Sequence, residues 1–201
     1  MPYKSLLATP QIAHLAHLLA ERPARVIEAP DSRHAAIALV LRASATNSEP
    51  ELLLIRRAEF EGDPWSGHIA CPGGRREPGD HDLAQTAIRE TWEETGIDIA
   101  RDGQILGTLD DMTPITKRLP ALVIRPFVAV VAPTVQPVAS DEVAEAFWVP
   151  LAAVRERERW GRGIVEIAGV GPREVDVFTH DHYVVWGLTH RALAQFLEYL
   201  G

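Results

Sequence analysis

The chain has 201 residues, of which 46% are hydrophobic and 24% charged, a balance that predicts one compact globular domain and excludes a largely disordered chain. The formal net charge of -8 disfavours nucleic-acid polymers and anionic membrane surfaces as partners. Because the only cysteine is Cys71 and the sequence shows neither a secretory signal nor a membrane-spanning apolar run, we expect a cytoplasmic protein without disulfides.

The first part of the chain predicts a helix followed by two strands. Apolar residues at helical spacing after Pro10 indicate an amphipathic helix over residues 10–20, which we interpret as part of an N-terminal helical extension, residues 1–34. Short apolar runs predict strands at residues 35–41 and 52–55, joined by a polar surface loop.

A segment rich in glycine and proline, residues 61–79, then precedes a helix predicted from about Asp82 to Thr95 and ended by Gly96. Mixed strands and helices without strict alternation predict an α/β or α+β sandwich in a single domain, residues 35–201. The remaining predicted elements are strands in residues 103–109, 122–131, 145–151 and 174–186, and helices over residues 151–160 and 188–200.

The helix over residues 82–95 carries an acidic face. Helical spacing projects Glu90, Glu93 and Glu94 from one side, while Ile88 and Trp92 fall on the other side and are expected to pack against a sheet. Mutual repulsion of the carboxylates favours a bound cation, and hard oxygen ligands select Mg²⁺ or Mn²⁺. Taken alone, such a face is more often solvated charge paired with a neighbouring arginine.

The order of residues around this face is more specific than the face itself. Gly73-Gly74, a polar loop and then Arg89-Glu90-x-x-Glu93-Glu94-x-Gly96-Ile97 resembles the signature of the Nudix hydrolases. That resemblance implies an α/β/α sandwich with a mixed central β-sheet and metal-dependent hydrolysis of a nucleoside diphosphate linked to another moiety.

By the same resemblance, particular residues take particular roles. Glu93 and Glu94 become the main metal ligands, Glu90 a further ligand or the base, and Gly74 a tight turn whose carbonyl reaches the metal. Arg89 would orient a glutamate carboxylate through a bidentate pair.

The chain departs from the signature at one acidic position. His81 stands where the family has a glutamate eight residues before its arginine, and Asp80 or Glu77 is expected to replace that acid. The longer loop, in GHIACPGGRREPGDHDLAQTAIRETWEETGI, resembles the coenzyme A diphosphatase branch. The upstream LLLIRRAEFEGDPWSG matches that branch in part, since Arg57 and Gly67 fit but Ala58 replaces a serine.

The resemblance therefore leaves several substrates open. Coenzyme A or acyl-coenzyme A is the leading hypothesis, a nucleotide sugar or ADP-ribose is the alternative, and a nucleotide-binding sensor without turnover is the alternative from another class. The oligomeric state is also open, since exposed apolar edges or the N-terminal helix could build a homodimer.

Further candidates carry a functional and a structural interpretation side by side. Glu142 is a candidate base or a surface turn residue, and Trp65 stacks an adenine or anchors its loop. His180 and His182 alternate on a predicted strand, but no zinc motif accompanies them, and Cys71 is interpreted as a packed residue. The expected substrate-binding residues are Arg57, Trp65, Lys117 and Arg118.

Overall fold

The computed structural model describes residues 3–61, 65–114, 121–167 and 170–200. The strands of these residues are β1 (Arg33–Ala43), β2 (Pro50–Arg57), β3 (Ile69–Ala70), β4 (Gly73–Arg75), β5 (Gly103–Thr108), β6 (Leu122–Val131), β7 (Val143–Pro150), β8 (Trp160–Ile167), β9 (Gly171–His180) and β10 (Tyr183–Trp186). The helices are α1 (Lys4–Leu7), α2 (Pro10–Glu21), α3 (Leu83–Thr95), α4 (Ile99–Asp102), α5 (Leu151–Arg155) and α6 (Gly187–Leu200), with one 3₁₀ turn at Arg157–Arg159.

Strand β1 is the centre of the larger sheet. It pairs in parallel with β6 and antiparallel with β2 and β4, and the strands follow the order β3-β2-β1-β6-β5. Strand β7 pairs with β2. The short β4 pairs with residues 35–37 of β1, beyond the part of β1 that pairs with β2. This pairing places Gly73 and Gly74 beside the central strand. The predicted mixed central sheet is confirmed.

Alternation along β1 divides the interior into two cores. Leu39 and Leu41 point to a core that α2 and α6 cover, where Phe196 is fully buried. Ala38 and Val40 point to the opposite side, where α3 covers the sheet through Ala87. Helices on both faces of one mixed sheet form the α/β/α sandwich that the resemblance implied.

The region after β7 differs from its prediction. A helix over residues 151–160 is wrong, because α5 ends at Arg155 and Trp160 begins β8. The indole N–H of Trp160 donates to the carbonyl of Val154 over 2.8 Å, and its ring packs on Phe178 of β9. These contacts turn the chain out of the helix and into a second, antiparallel sheet of order β10-β9-β8.

The N-terminal segment is tied to the end of β5 by charged contacts. The nearly buried Asp110 accepts a hydrogen bond from the backbone N–H of Arg25 at 2.9 Å and from the guanidinium groups of Arg22 and Arg25. Asp111 accepts the backbone N–H of Ile27. Helix α2 also contributes buried apolar residues to the first core, although the division of the chain after residue 34 stays a prediction.

Across the described ranges, no helix combines the length and apolar character that a membrane crossing requires.

We expect Asp110→Ala to lower the free energy of unfolding by about 1–3 kcal/mol, because a backbone N–H loses its acceptor and two guanidinium groups lose their partner. Asp102→Ala is the matched control, since Asp102 pairs with the exposed Arg101 only at the surface and should cost under about 1 kcal/mol. Urea unfolding of both variants is the measurement, and equal losses would contradict a tie between the N-terminal segment and β5.

Candidate active site

Helix α3 begins and ends at residues suited to those positions. The side chain of Asp82 accepts the N–H of Gln85 over 2.8 Å, which satisfies one of the free donors of the first turn. Gly96 adopts φ 67°, a left-handed conformation that glycine reaches without strain, and its N–H donates to the Trp92 carbonyl. The predicted bounds of this helix are confirmed.

The buried face of α3 departs from the prediction at Trp92. Trp92 was expected against the sheet but its surface is 56% exposed, and only Ile88 of the predicted pair lies partly against the second core. On the same side of the helix Thr91 and Thr95 are fully buried, and each donates its hydroxyl to a carbonyl four residues earlier. Their small side chains let the helix approach the sheet closely while their hydroxyls stay satisfied.

Glu94 also departs from prediction, because it turns inward. It was expected on an outward acidic face, yet only 4% of its surface is exposed. Its Oε2 accepts the N–H of Gly73 at 2.8 Å, and its Oε1 lies 4.0 Å from Nη1 of Arg57. Burial raises the pKa of Glu94 to about 8, since these partners compensate only part of the lost hydration.

The two glycines of β4 lie so close to neighbouring atoms that a side chain at either position would collide with them. Gly73 has φ 152°, and a Cβ there would lie 2.3 Å from the carbonyl oxygen of Ala36. A Cβ on Gly74 would lie 2.5 Å from the carboxylate of Glu90. The glycine pair therefore lets backbone, rather than side chains, line the acidic face of α3.

Arg89 holds together the acidic side chains that lie beside Glu94 on α3 and in the loop before it. Its Nε and Nη2 donate to the two carboxylate oxygens of Asp80, each at 3.0 Å, while Nη1 donates to Glu90 at 3.0 Å and to Glu93 at 2.8 Å. The expected bidentate pair therefore forms with an aspartate and not with a glutamate. These bonds hold the pKa of Asp80 well below its usual range.

Asp80 is fixed by further donors. It accepts the hydroxyl of Thr86 at 2.8 Å and the backbone N–H of Glu77 at 3.0 Å. Of the two acids expected to replace the missing glutamate, Asp80 is thus the one in contact with Arg89, whereas Glu77 contributes its backbone. The backbone N–H of His81 donates to Gln85 at the start of α3. The sequence signature did not indicate this role of Thr86. Thr86 lies in the first turn of α3, six residues after Asp80.

Glu142 lies in the turn before β7 and faces the same cluster. The backbone N–H of Ala58 donates to the Glu142 carbonyl, which places this turn beside the end of β2. Burial raises the pKa of Glu90, Arg89 lowers it in part, and the nearby charge of Glu142 raises it again. Glu142 acts on Glu94 in the same direction.

The donor set can be tested against a divalent cation. Among the described residues, the acidic cluster of Asp80, Glu90, Glu93, Glu94 and Glu142 contacts the guanidinium groups of Arg57 and Arg89, so five carboxylates, when ionised, outnumber these two cations. Carboxylate oxygens are the donors that Mg²⁺ and Mn²⁺ prefer, and the raised pKa values show that cationic compensation is incomplete. As placed, however, no three acidic, histidine or cysteine side chains of the described residues converge as a metal group, and Arg89 donates to both Glu90 and Glu93.

The remaining candidates lie in different places. Arg57 sits at the cluster, and Trp65 lies exposed in the loop between β2 and β3. Lys117 and Arg118 fall outside the described residues. Two shallow depressions near the N-terminal helices, of about 420 and 330 Å³, contain none of the candidate residues.

The structure also bears on the zinc alternative at His180 and His182 and on the interpretation of Cys71 as a packed residue. His180 ends β9 while His182 follows the turn at Asp181, so the two do not share a strand face as predicted. The part of the chain that the structure describes holds no metal-ligating group that includes them. Cys71 is buried, and burial raises the pKa of its thiol to about 12, which agrees with a packed residue.

Glu94→Gln should change how stability depends on pH in the presence of a chelator. Because the folded protein holds the Glu94 proton up to about pH 8 while the unfolded chain releases it near its ordinary pKa, the wild-type free energy of unfolding should fall as pH rises through that window. Glu94→Gln removes this loss and should become the more stable protein above pH 8. Urea unfolding across this range measures the difference, with the half-exposed Glu93→Gln as control; parallel curves for Glu94→Gln and the wild type would contradict the buried carboxyl.

Comparison with known proteins agrees with this arrangement. The family model described as NUDIX domain matches residues 32–166, which include β1 to β7 and the whole of α3. The chain is also 31% identical over 176 residues to the mitochondrial coenzyme A diphosphatase NUDT8 of Mus musculus, a match that covers 86% of this chain and 79% of that protein.

Two further matches differ in their coverage. The chain is 40% identical over 110 residues to an uncharacterized protein of Schizosaccharomyces pombe, which covers 52% of this chain but 33% of that protein, so it spans about a third of that relative's length. The crystallised NUDIX domain of Shewanella oneidensis NrtR, complexed with ADP ribose, superposes with a TM-score of 0.56 at 18% identity, covering 92% of this chain and 98% of that one. At this identity the likeness shows the fold alone.

The family model spans well over half of the chain, and α3 with its glycine pair and its Arg89 lies inside the matched range. The chain therefore belongs to the Nudix hydrolase family and is a Nudix pyrophosphohydrolase.

Proposed function

We propose that this chain is a coenzyme A diphosphatase, which hydrolyses the diphosphate of coenzyme A or an acyl derivative into 3',5'-adenosine bisphosphate and the phosphopantetheine half. The observation that carries this choice is the match to NUDT8, a named coenzyme A diphosphatase, over most of both chains. The long loop between Gly74 and Arg89 adds to it, since that loop has the spacing of the coenzyme A branch and folds around Asp80.

Divalent metal is part of the proposal. Glu90, Glu93 and Glu94, with the backbone of Gly74, would hold Mg²⁺ or Mn²⁺, and Glu93 is the most accessible of these side chains, at 47% exposed. Bound divalent cations supply charge neutralisation on the diphosphate and an activated water. The incomplete compensation of Glu90 and Glu94 supports this assignment, because an added cation would relieve it.

The other residues of the cluster bind, orient and move protons. Glu90 or Glu142 accepts the proton of the attacking water, and burial raises the pKa of Glu90, which makes this carboxylate a stronger base than an exposed glutamate. Arg57, beside Glu94, would contact a phosphate oxygen, and the exposed Trp65 would stack the adenine. Arg89 orients Glu90 and Glu93 while Asp80 holds Arg89.

A sensor without turnover is the candidate from another class. A sensor requires binding but not hydrolysis, so it has no need for the complete Arg89-Glu90-x-x-Glu93-Glu94 arrangement around a metal site. The retained cluster therefore favours an enzyme over a binding module.

The substrate is tested by incubating the purified protein with Mg²⁺ or Mn²⁺ and separate samples of coenzyme A, acetyl-coenzyme A, ADP-ribose and a nucleotide sugar. Chromatography of the products should show 3',5'-adenosine bisphosphate from the first two at the highest kcat/KM. If coenzyme A survives while ADP-ribose or the nucleotide sugar is cleaved, the substrate proposal fails and the reaction class stands.

We expect Glu93→Gln to lower metal-dependent kcat by about 100-fold or more, since even residues outside the direct ligand set of metal sites commonly cost 10–100-fold. The thermal midpoint should stay unchanged or rise, because one repelling carboxylate is removed. The exposed Glu158→Gln is the matched control and should keep full activity. Equal losses of activity and of thermal stability in Glu93→Gln would instead assign this glutamate a structural role.

A further inference from the structure

The hairpin of β8 and β9 extends away from both cores. Only its base is anchored, where Trp160 packs on Phe178 and Val177 is buried. Toward its tip most side chains are exposed, and Ile164 is 77% exposed, the highest value among the large exposed hydrophobic residues of the described chain. A two-stranded ribbon without a partner is marginally stable in water, so this hairpin is a candidate contact surface.

Strand β8 is the outer edge of the second sheet. It pairs with β9 over its whole length, from Trp160 opposite Phe178 to Ile167 opposite Gly171. Within the described ranges it pairs with no other strand, so its outer backbone groups have no strand partner. Such an edge accepts another strand through ladder hydrogen bonds unless the sequence prevents it.

The side chains of β8 favour one register for pairing with the β8 strand of a second copy. Arg162, Ile164 and Glu166 lie on one face of the strand, because side chains alternate along it. When two copies of β8 pair antiparallel about a two-fold axis at Ile164, Arg162 lies opposite Glu166 on each side and Ile164 lies opposite its own copy. Moving the axis to residue 162 or 166 places like charges opposite each other, which is unfavourable.

The ion pairs within one copy leave Glu166 available for the register centred on Ile164. Arg162 donates to Glu174 at 3.1 Å and to Asp176 at 3.2 Å on its own β9, so the face carries three acids and one arginine. Among the described residues Glu166 makes no ion pair. The arginine of a second copy would supply the cation that Glu166 lacks, while the planar guanidinium has five donors to share.

We propose that β8 is a self-pairing edge, through which two copies of this chain associate as an antiparallel β8–β8 dimer centred on Ile164. Pairing one strand buries less surface than a standard interface of roughly 1,600 Å², so the dimer should be reversible and depend on concentration. The proposal is independent of the substrate, since β4 belongs to the larger sheet and α3 packs on that sheet, whereas β8 belongs to the second sheet.

Sedimentation velocity of the full chain over a range of concentrations tests the pairing. The wild type should shift from monomer to dimer, and Ile164→Lys should raise the dissociation constant by about tenfold or more, because two like charges meet at the axis. Val138→Lys is the matched control, since Val138 is 72% exposed and lies before β7, outside the second sheet. A wild type that stays monomeric, or equal behaviour of the two lysine variants, overturns the proposal.

A charge exchange tests the register. Glu166→Arg places two arginines opposite each other and should weaken the dimer by about tenfold, whereas Arg162→Glu combined with Glu166→Arg restores opposite charges and should recover the wild-type constant within about threefold. Thermal midpoints verify folding, because the double variant also loses the contacts to Glu174 and Asp176. Failure of a folded double variant to recover overturns the register at Ile164.

Discussion

The site depends on one guanidinium group held in place by one aspartate. Arg89 donates to Asp80 through two nitrogens and to Glu90 and Glu93 through the third, so its position fixes theirs. Asp80 is in turn fixed by Thr86 and by the loop backbone. Without this pair, repulsion between neighbouring carboxylates would splay the acidic face, and the loop before α3 would lose its main attachment to the helix.

A second constraint acts on the other side of the same face. Glu94 can be buried only because Gly73 offers a backbone N–H at 2.8 Å, and Gly73 can lie there only because it lacks a Cβ. The close packing of Thr91 and Thr95 on the sheet brings α3 near enough for this contact. Ionisation of the buried Glu94 without metal therefore costs stability, and a bound cation would give the ionised carboxylate a partner.

The parts that the sequence predicted correctly are those with a local cause. Helix α3 follows from Asp82 and Gly96 at its ends, and the central strands follow from apolar runs. The burial of Trp92 was predicted wrongly because a helical wheel separates two faces but does not tell which residues of the apolar face reach the sheet. The smaller Thr91 and Thr95 fit there with their hydroxyls satisfied. The helix predicted up to residue 160 failed because the Trp160 contacts are tertiary.

Whether two copies of β8 meet is decided by a balance between long-range and local charge. Each chain carries a net charge of -8, so two copies repel each other at a distance, and that repulsion is screened over about 10 Å at 0.1 M salt. The opposed Arg162 and Glu166 act only at contact, where screening is weaker than for separated charges. Added salt should therefore weaken the repulsion more than the pairing, which would distinguish a strand-edge dimer from one held only by surface ion pairs.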